Sequence, residues 1–253
     1  MGKVYFVGAG PGAADLITVR GAQLLRRADI VFHDALVQQD MLALAEKAKL
    51  VAVGKRCSQI STDQRFINRN LVEASAKYNV VARLKGGDPT LFGRLQEEID
   101  ALEASGVEYE IVPGVTAALA GSAEIGVSLT RRGMSRSVVF VTPRVGEGED
   151  ESDWAQVVAA ADTAVLYMAA GQAEAISRIL RQHGMPASTP AVIVVNVSLA
   201  VAQRIHTVLE RLEHDVPTQL TGPAVLMIGS VFASDRAIRH AGDEALSLTA
   251  NFR

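Results

Sequence analysis

Five times within residues 1–113, a short apolar run rich in β-branched side chains gives way to a loop of small or polar residues. The runs are Lys3–Gly8, Ala28–Phe32, Leu50–Val53, Val80–Leu84 and Glu108–Val112, and helical patterns separate most of them. Near-continuous apolar runs alternating with helices predict parallel strands buried on both faces, wound as successive βα units. Aromatic residues make up only 5% of a chain that is 49% hydrophobic, so the predicted core is Ala, Val, Leu and Ile. Open sheets of this kind bind ligands beyond the carboxyl ends of their strands. The loops after the runs are therefore where chemistry is expected.

The loop after the fourth run carries the most information. Arg83-Leu84-Lys85-Gly86-Gly87-Asp88-Pro89-Thr90-Leu91-Phe92-Gly93-Arg94 reads as strand end, tight loop and helix start. Gly86 and Gly87 permit positive φ and the close approach of another molecule. Pro89 restricts Asp88 to extended conformations and so gives its carboxylate a defined direction. An ordinary βα turn has the same composition. On the helical segment that follows, predicted over Leu95–Ser105, Arg94 and Glu97 share one face. Either they pair with each other, or Arg94 holds a ligand carboxylate bidentately.

The other loops repeat the theme with less force. Gly8-Ala9-Gly10-Pro11-Gly12 follows the first run and suggests a ligand loop. A dinucleotide fingerprint would place glycine where Ala13 stands, and Pro11 lacks an N–H, so the nucleotide reading is weak. Asp34 ends the second run, either at the crevice side of the sheet or as N-cap of a helix predicted over Ala35–Lys47. Lys55 and Arg56 follow Gly54 and read as an anion site or as solvated loop charges. Ser61 or Thr62 is a candidate cap for a helix predicted over Gln64–Tyr78. Pro113-Gly114 marks the turn after the fifth run, and Thr116 can cap the small-residue segment Ala117–Ile125.

Beyond that turn the pattern changes. Strands are predicted over Ser137–Thr142, Thr163–Met168, Ala191–Val195, Gln203–Leu209 and Pro223–Ile228, with a helix over Gln172–His183. Their mixed order predicts some antiparallel pairing. The expected organisation is an N-terminal α/β domain over 1–113, a second α/β domain over 114–240 and a tail over 241–253. Arg131 and Arg132 open a basic loop, read as solvated or as a site for an acidic ligand; residues 146–153 form an acidic loop.

Several classes are disfavoured. The net charge of −3 argues against a nucleic-acid surface. One cysteine, Cys57, and five scattered histidines give no metal-ligand spacing, so no metal is expected. The uncharged run from Gly184 to Gln203 holds two prolines and an asparagine, which argues against a membrane-spanning helix. The N-terminus lacks a signal-peptide pattern, and a cytoplasmic location is expected.

Taken together, six segments carry a resemblance. They are Val7-Gly8-Ala9-Gly10-Pro11-Gly12 with Asp15-Leu16; Asp34-Ala35-Leu36-Val37; Val53-Gly54-Lys55-Arg56; Arg83 to Pro89; Val112-Pro113-Gly114-Val115-Thr116-Ala117; and Leu129-Thr130-Arg131-Arg132-Gly133. In this order the chain resembles the uroporphyrinogen-III C-methyltransferases of the tetrapyrrole methylase superfamily. The resemblance implies two α/β domains with the active-site cleft between them, and a homodimer. It implies methyl transfer from S-adenosylmethionine to C2 and C7 of uroporphyrinogen III, giving precorrin-2 by way of precorrin-1, with S-adenosylhomocysteine as the other product. It places the chain on the route to sirohaem, cobalamin or haem d1. Pro11, Gly86, Gly87, Asp88, Leu91, Thr116, Ala117, Met168 and Val197 are implied as contacts of the methyl donor, and Asp34 and Lys55 as acid–base groups.

A polycarboxylate substrate needs cations, for which Arg94, Arg131, Arg132 and Lys55 are the candidates, with Arg94 nearest the reaction and Glu97 beside it. The sequence departs from the family pattern at Leu95 and Gln96, where glycines are usual, at Val197 in Val195-Asn196-Val197-Ser198, and at Thr142-Pro143-Arg144. Alternatives are therefore a methylase acting on another precorrin, a non-catalytic tetrapyrrole-binding protein, and, from the first loop alone, a nicotinamide dehydrogenase.

Overall fold

The computed structural model of the chain describes residues 1–54, 64–144, 152–217 and 220–233. The described residues divide into two compact units that meet between Ala117 and Ala118.

The first unit is a parallel five-stranded sheet. Its strands are β1 (Lys3–Gly8), β2 (Ile30–His33), β3 (Lys49–Ala52), β4 (Val80–Lys85) and β5 (Tyr109–Val112), in the order β3-β2-β4-β1-β5. Alternation along each strand sends side chains to two faces. Val4, Phe6, Ile30, Phe32 and Val81 pack under α3 (Gln64–Ser75) and α4 (Leu95–Ala104), against Ile67, Leu71, Ile99 and Leu102. Val7, Val31 and Leu84 face the other way, toward Leu24 and Leu25 of α1 (Val19–Arg27) and Met41 and Leu42 of α2 (Gln39–Leu42). Helix α1 is capped by Thr18, whose hydroxyl accepts the Gly21 N–H at 3.1 Å.

Two sequence expectations change here. The helix predicted over Ala35–Lys47 is reduced to α2 and a 3-10 turn at Ala43–Ala45. Asp34 does not cap it: α2 begins after Gln38, and no side chain caps it. The Asp34 carboxylate is bound elsewhere, as described below. The capping candidates Ser61 and Thr62, together with Lys55 and Arg56, lie outside the described residues, as do most of the acidic loop and the expected tail.

The second unit is a mixed five-stranded sheet. Its strands are β6 (Val138–Val141), β7 (Thr163–Tyr167), β8 (Pro190–Val195), β9 (Gln203–Val208) and β10 (Ala224–Gly229), in the order β6-β7-β10-β8-β9. Only β6 and β7 pair in parallel; β10 runs antiparallel to both neighbours, and β9 antiparallel to β8. One face is covered by α6 (Trp154–Ala160), α7 (Ala173–Gln182) and α8 (Leu212–Asp215), which bury Leu166, Ile193, Leu226 and Ile228 against Val158, Ile176, Leu180 and Leu212. On the opposite face Gly121, in α5 (Ala117–Glu124), lies against Met227 and Val225. The uncharged run contains β8, and no helix of the described residues is long and apolar enough to cross a membrane.

Candidate functional site

The strand order creates a switch point between β1 and β4. The chain leaves β1 and passes β4 to reach β2; it leaves β4 and passes β1 to reach β5. The two carboxyl ends therefore flank the crevice at which open α/β sheets take ligands. Both ends are glycine loops, and they are tied together. The Gly87 N–H donates to the Gly10 carbonyl at 2.7 Å, and the Gly10 N–H donates to the Gly87 carbonyl at 3.2 Å. Both residues have positive φ, 76° at Gly10 and 67° at Gly87.

The end of β5 joins them through backbone packing that admits no side chain. A Cβ on Gly8 would stand 2.5 Å from the Gly114 Cα and 2.8 Å from the Gly87 carbonyl oxygen, and a Cβ on Gly114 would meet that same oxygen. Asp88 fastens the arrangement. One carboxylate oxygen accepts the Thr90 N–H at 2.8 Å and the Thr90 hydroxyl at 2.5 Å; the other accepts the Gly114 N–H at 2.9 Å. Burial raises the Asp88 carboxyl, but these donors outweigh it and hold the group below its ordinary value of 3.8. The oriented acid read from the sequence is thus oriented toward its own chain, where it locks the Gly86–Thr90 loop to the Pro113-Gly114 turn.

What this frame leaves open is Gly86. It is exposed, and a Cβ built on it would meet nothing within 4 Å. Around it lie Gly87 and Asp88, half-buried Pro11 after Gly10, and Thr116, whose Cα is 3.9 Å from where a Gly87 Cβ would stand. Leu91 is half-buried, its N–H donating to the Asp88 carbonyl at 3.3 Å. Ala117 follows Thr116 at the start of α5. A rigid floor of backbone with one open glycine suits a flat or elongated ligand lying against the main chain.

Asp34 reaches the same edge from β2. Its carboxylate takes Arg83 Nη2 at 2.6 Å and lies 3.4 Å from the Gly86 N–H. Arg83 is the exposed end of nothing: it is buried and belongs to a charge network absent from the sequence-based list. Arg83 Nε and Lys85 Nζ donate to the two oxygens of Glu98 at 3.2 and 3.1 Å, and Gln64 Nε2 donates to Glu98 at 3.1 Å. Burial works against the Arg83 charge, and Asp34 and Glu98 outweigh it, so it remains a cation. Burial and the neighbouring Arg83 push the Lys85 ammonium below its ordinary value, against the pull of Glu98 and Asp34. The signal was present in the sequence: Arg83 and Lys85 alternate with apolar residues in the middle strand of a sheet buried on both faces. Two cations there require buried counter-charge.

Arg94 and Glu97 resolve toward each other. Arg94 Nε and Nη2 donate to the two Glu97 oxygens, both at 2.7 Å, on an exposed surface. Phe92 and Arg94 both sit in the left-handed region, at φ 50° and 52°.

The remaining candidates belong to the second unit. Met168 follows β7 with φ 55° and is exposed; Asn196, Val197 and Ser198 follow β8, with Asn196 and Ser198 at φ 52° and 66°. Because β7 and β8 both run antiparallel to β10, Met168 and Val197 come to the same edge of the sheet. Glu124 on α5 holds the second turn, accepting the Ser198 N–H at 3.1 Å and Arg204 Nη2 at 2.5 Å. Val197 has an ordinary φ, and its side chain is buried near Gly121. Arg131 and Arg132 are not brought beside these residues. They are exposed in a turn closed by paired Arg131 and Ser135 backbone bonds, and the Ser135 hydroxyl lies 2.9 Å from that of Thr163, at the start of β7. Within this unit the basic turn therefore lies at the opposite end of β7 from Met168. Lys55 lies outside the described residues.

Known proteins share this architecture and sequence. The family model of the tetrapyrrole (corrin/porphyrin) methylases matches residues 3–213. Siroheme synthase 1 of Klebsiella pneumoniae is 41% identical over 234 residues, covering 91% of this chain and 49% of that protein. The chain thus spans about half the length of the curated relatives it matches. The native form of uroporphyrin-III C-methyltransferase from Thermus thermophilus superposes with a TM-score of 0.79 at 34% identity, covering 91% of this chain and 93% of the other. A structure of the Thermus thermophilus enzyme complexed with S-adenyl homocysteine gives a TM-score of 0.80 at 36% identity, covering 91% and 98%. With the glycine floor, the two-sheet architecture and these matches in agreement, the chain belongs to the tetrapyrrole methylases.

Proposed function

We propose that the chain transfers methyl groups from S-adenosylmethionine to uroporphyrinogen III, at C2 and C7, to give precorrin-2 by way of precorrin-1. The observation that carries this reading is the backbone floor at the β1–β4 switch point, with Gly86 open above it, in a chain 36% identical to a uroporphyrin-III methyltransferase complexed with the demethylated donor. The residues present fit such a donor. Gly86, Gly87, Pro11, Leu91 and Thr116 offer close backbone approach and an apolar margin, and Asp88 keeps the loop in place. Met168, Ala117 and the backbone of Val197 complete the proposed donor contacts.

The sulfonium of the donor supplies an already activated methyl group, so the chain's part is alignment, exclusion of water and proton removal. Asp34, with Lys55, is the proposed acid–base group: among the described charged members of its network it is the one that meets solvent, at 31% exposure. Arg94 is the proposed carboxylate anchor. An exposed pair such as Arg94–Glu97 contributes about 0–1 kcal/mol, so exchange of Glu97 for a substrate carboxylate is inexpensive. Arg131 and Arg132 are assigned a secondary role in attracting the polyanion. A homodimer is part of the same proposal.

Calorimetry tests the donor half of this reading. S-adenosylhomocysteine should bind and NAD should not; binding of NAD alone would return the first loop to a dinucleotide role. Offering uroporphyrinogen III and a later precorrin in competition tests the acceptor half, with uroporphyrinogen III expected to be consumed first.

A further inference from the structure

Glu98 is fully buried, on α4, and both of its ion pairs are with cations of β4, the strand that runs into the Gly86–Thr90 loop. One oxygen takes Arg83 Nε and Gln64 Nε2; the other takes Lys85 Nζ. Arg83 in turn uses each of its nitrogens in a different direction: Nε on Glu98, Nη1 on the Leu84 carbonyl at 3.2 Å and Nη2 on Asp34. A guanidinium is a rigid planar fork, so fixing Nε and Nη1 fixes where Nη2 points. The stem of Lys85 runs beneath the next loop, since a Cβ on Gly93 would stand 3.1 Å from Lys85 Cε. One buried carboxylate therefore supports both the Asp34 contact and the turn that carries Phe92 and Arg94.

We propose that Glu98 is a positioning residue of the site, holding Arg83 so that it fixes the direction and the charge environment of Asp34. Packing alone does not call for such a group, because apolar side chains of similar volume stabilise an interior as well as or better than a buried ion network. Among its described charged members, Arg83, Lys85 and Glu98 are buried, with side-chain exposures of 3%, 3% and 0%, and Asp34 is exposed at 31%. The member that meets solvent is the group assigned to proton transfer.

Among the described residues, the charges facing Asp34 are Arg83 directly, with Lys85 and Glu98 behind it; the Gly86 N–H adds a dipole, and the His33 ring contacts the Asp34 carbonyl, at 3.2 Å. Removing the Glu98 charge takes away the acceptor that holds Arg83 Nε, so the fork can turn and its hold on the Asp34 carboxylate loosens.

The inference rests on the reading of Asp34 as the acid–base group, and its test separates the two. Glu98→Gln keeps the shape and removes the charge. Turnover is expected to fall on the order of ten- to a hundredfold, with S-adenosylhomocysteine affinity unchanged and partial recovery in Glu98→Asp. The carbon-13 NMR signal of the Asp34 carboxyl at neutral pH, assigned by its disappearance in Asp34→Asn, should move in Glu98→Gln without depending on activity. Wild-type turnover per folded molecule with an unmoved Asp34 signal would overturn the proposal. If Glu98→Gln does not fold, combining it with Lys85→Met removes one buried charge of each sign, and a moved Asp34 signal is still expected; an unmoved signal overturns the proposal equally. A wild-type protein without methyl transfer would refute the proposed activity, while the Asp34 carboxyl signal would still decide whether Glu98 governs Asp34.

Discussion

At Phe92 and Arg94 the backbone holds two non-glycine residues in the left-handed region on either side of Gly93. Each such residue costs roughly 1–2 kcal/mol relative to glycine. Arg94→Gly should therefore leave thermal stability equal or higher while the methylation rate falls on the order of tenfold or more, by loss of the carboxylate anchor. A melting scan and a turnover assay on one preparation check both halves. Asp88 makes a second residue-scale prediction. Its folded pKa is depressed, so its contribution is present above pH 3.8 and is lost as pH falls through the lowered value. Asp88→Asn cannot accept all the same hydrogen bonds and should cost about 1–2 kcal/mol at neutral pH, with a flatter stability curve on the acid side, measurable by urea melts across pH. At this scale the sequence identified Asp88 as a directed acid but not its target, because the partner N–H belongs to Gly114, 26 residues away. Leu95 and Val197 departed from the family's glycines, yet both turn inward: Leu95 packs with Val4, Phe6 and Ile99, and Val197 lies near Gly121. A side chain's face is a tertiary property, so a list of substitutions does not reveal it.

Among elements, the strands were the most legible. Their apolar runs are short but near-continuous and bounded by loop residues, and even the antiparallel pairing in the second half followed from element order. The segment after Asp34 was not legible as a loop. Its residues have fair helix propensity, but tertiary contacts stop the helix after one short turn, with Met41 and Leu42 buried and Asp34 drawn away by Arg83. The ends of β1, β4 and β5 lean on one another through glycine backbone, and this contact predicts the outcome of Gly114→Ala. The added Cβ would stand against the Gly87 oxygen and 2.8 Å from the Gly8 Cα, both backbone atoms that cannot rotate away. The variant should lose about 1–3 kcal/mol of stability, seen by denaturant unfolding, together with S-adenosylhomocysteine binding. Retained binding at wild-type affinity would show that the three loop ends do not form the donor floor. The buried ion network was missed for a different reason: α4 supplies the compensating Glu98, and nothing in local sequence pairs residue 98 with residues 83 and 85.

For the whole molecule, the two sheets divide the proposed labour. The first unit carries the glycine floor, Asp34 and Arg94; the second carries the left-handed turns at Met168 and Asn196–Ser198, braced by Glu124. The modest net charge of −3 is compatible with a polyanionic acceptor only if cations are local, and among the described candidate cations Arg94, exposed at the start of α4, shares a unit with the proposed donor floor. The family was legible in the sequence because most of its motifs follow the strand ends of the first unit, where backbone geometry constrains residue type most tightly. The most direct test of the central claim is anaerobic incubation of the protein with S-adenosylmethionine and uroporphyrinogen III, with the methyl groups on the product counted by mass spectrometry. The account predicts a product carrying two added methyl groups, at C2 and C7, with a matching release of S-adenosylhomocysteine. A folded protein that binds the donor yet leaves uroporphyrinogen III unmethylated would contradict it.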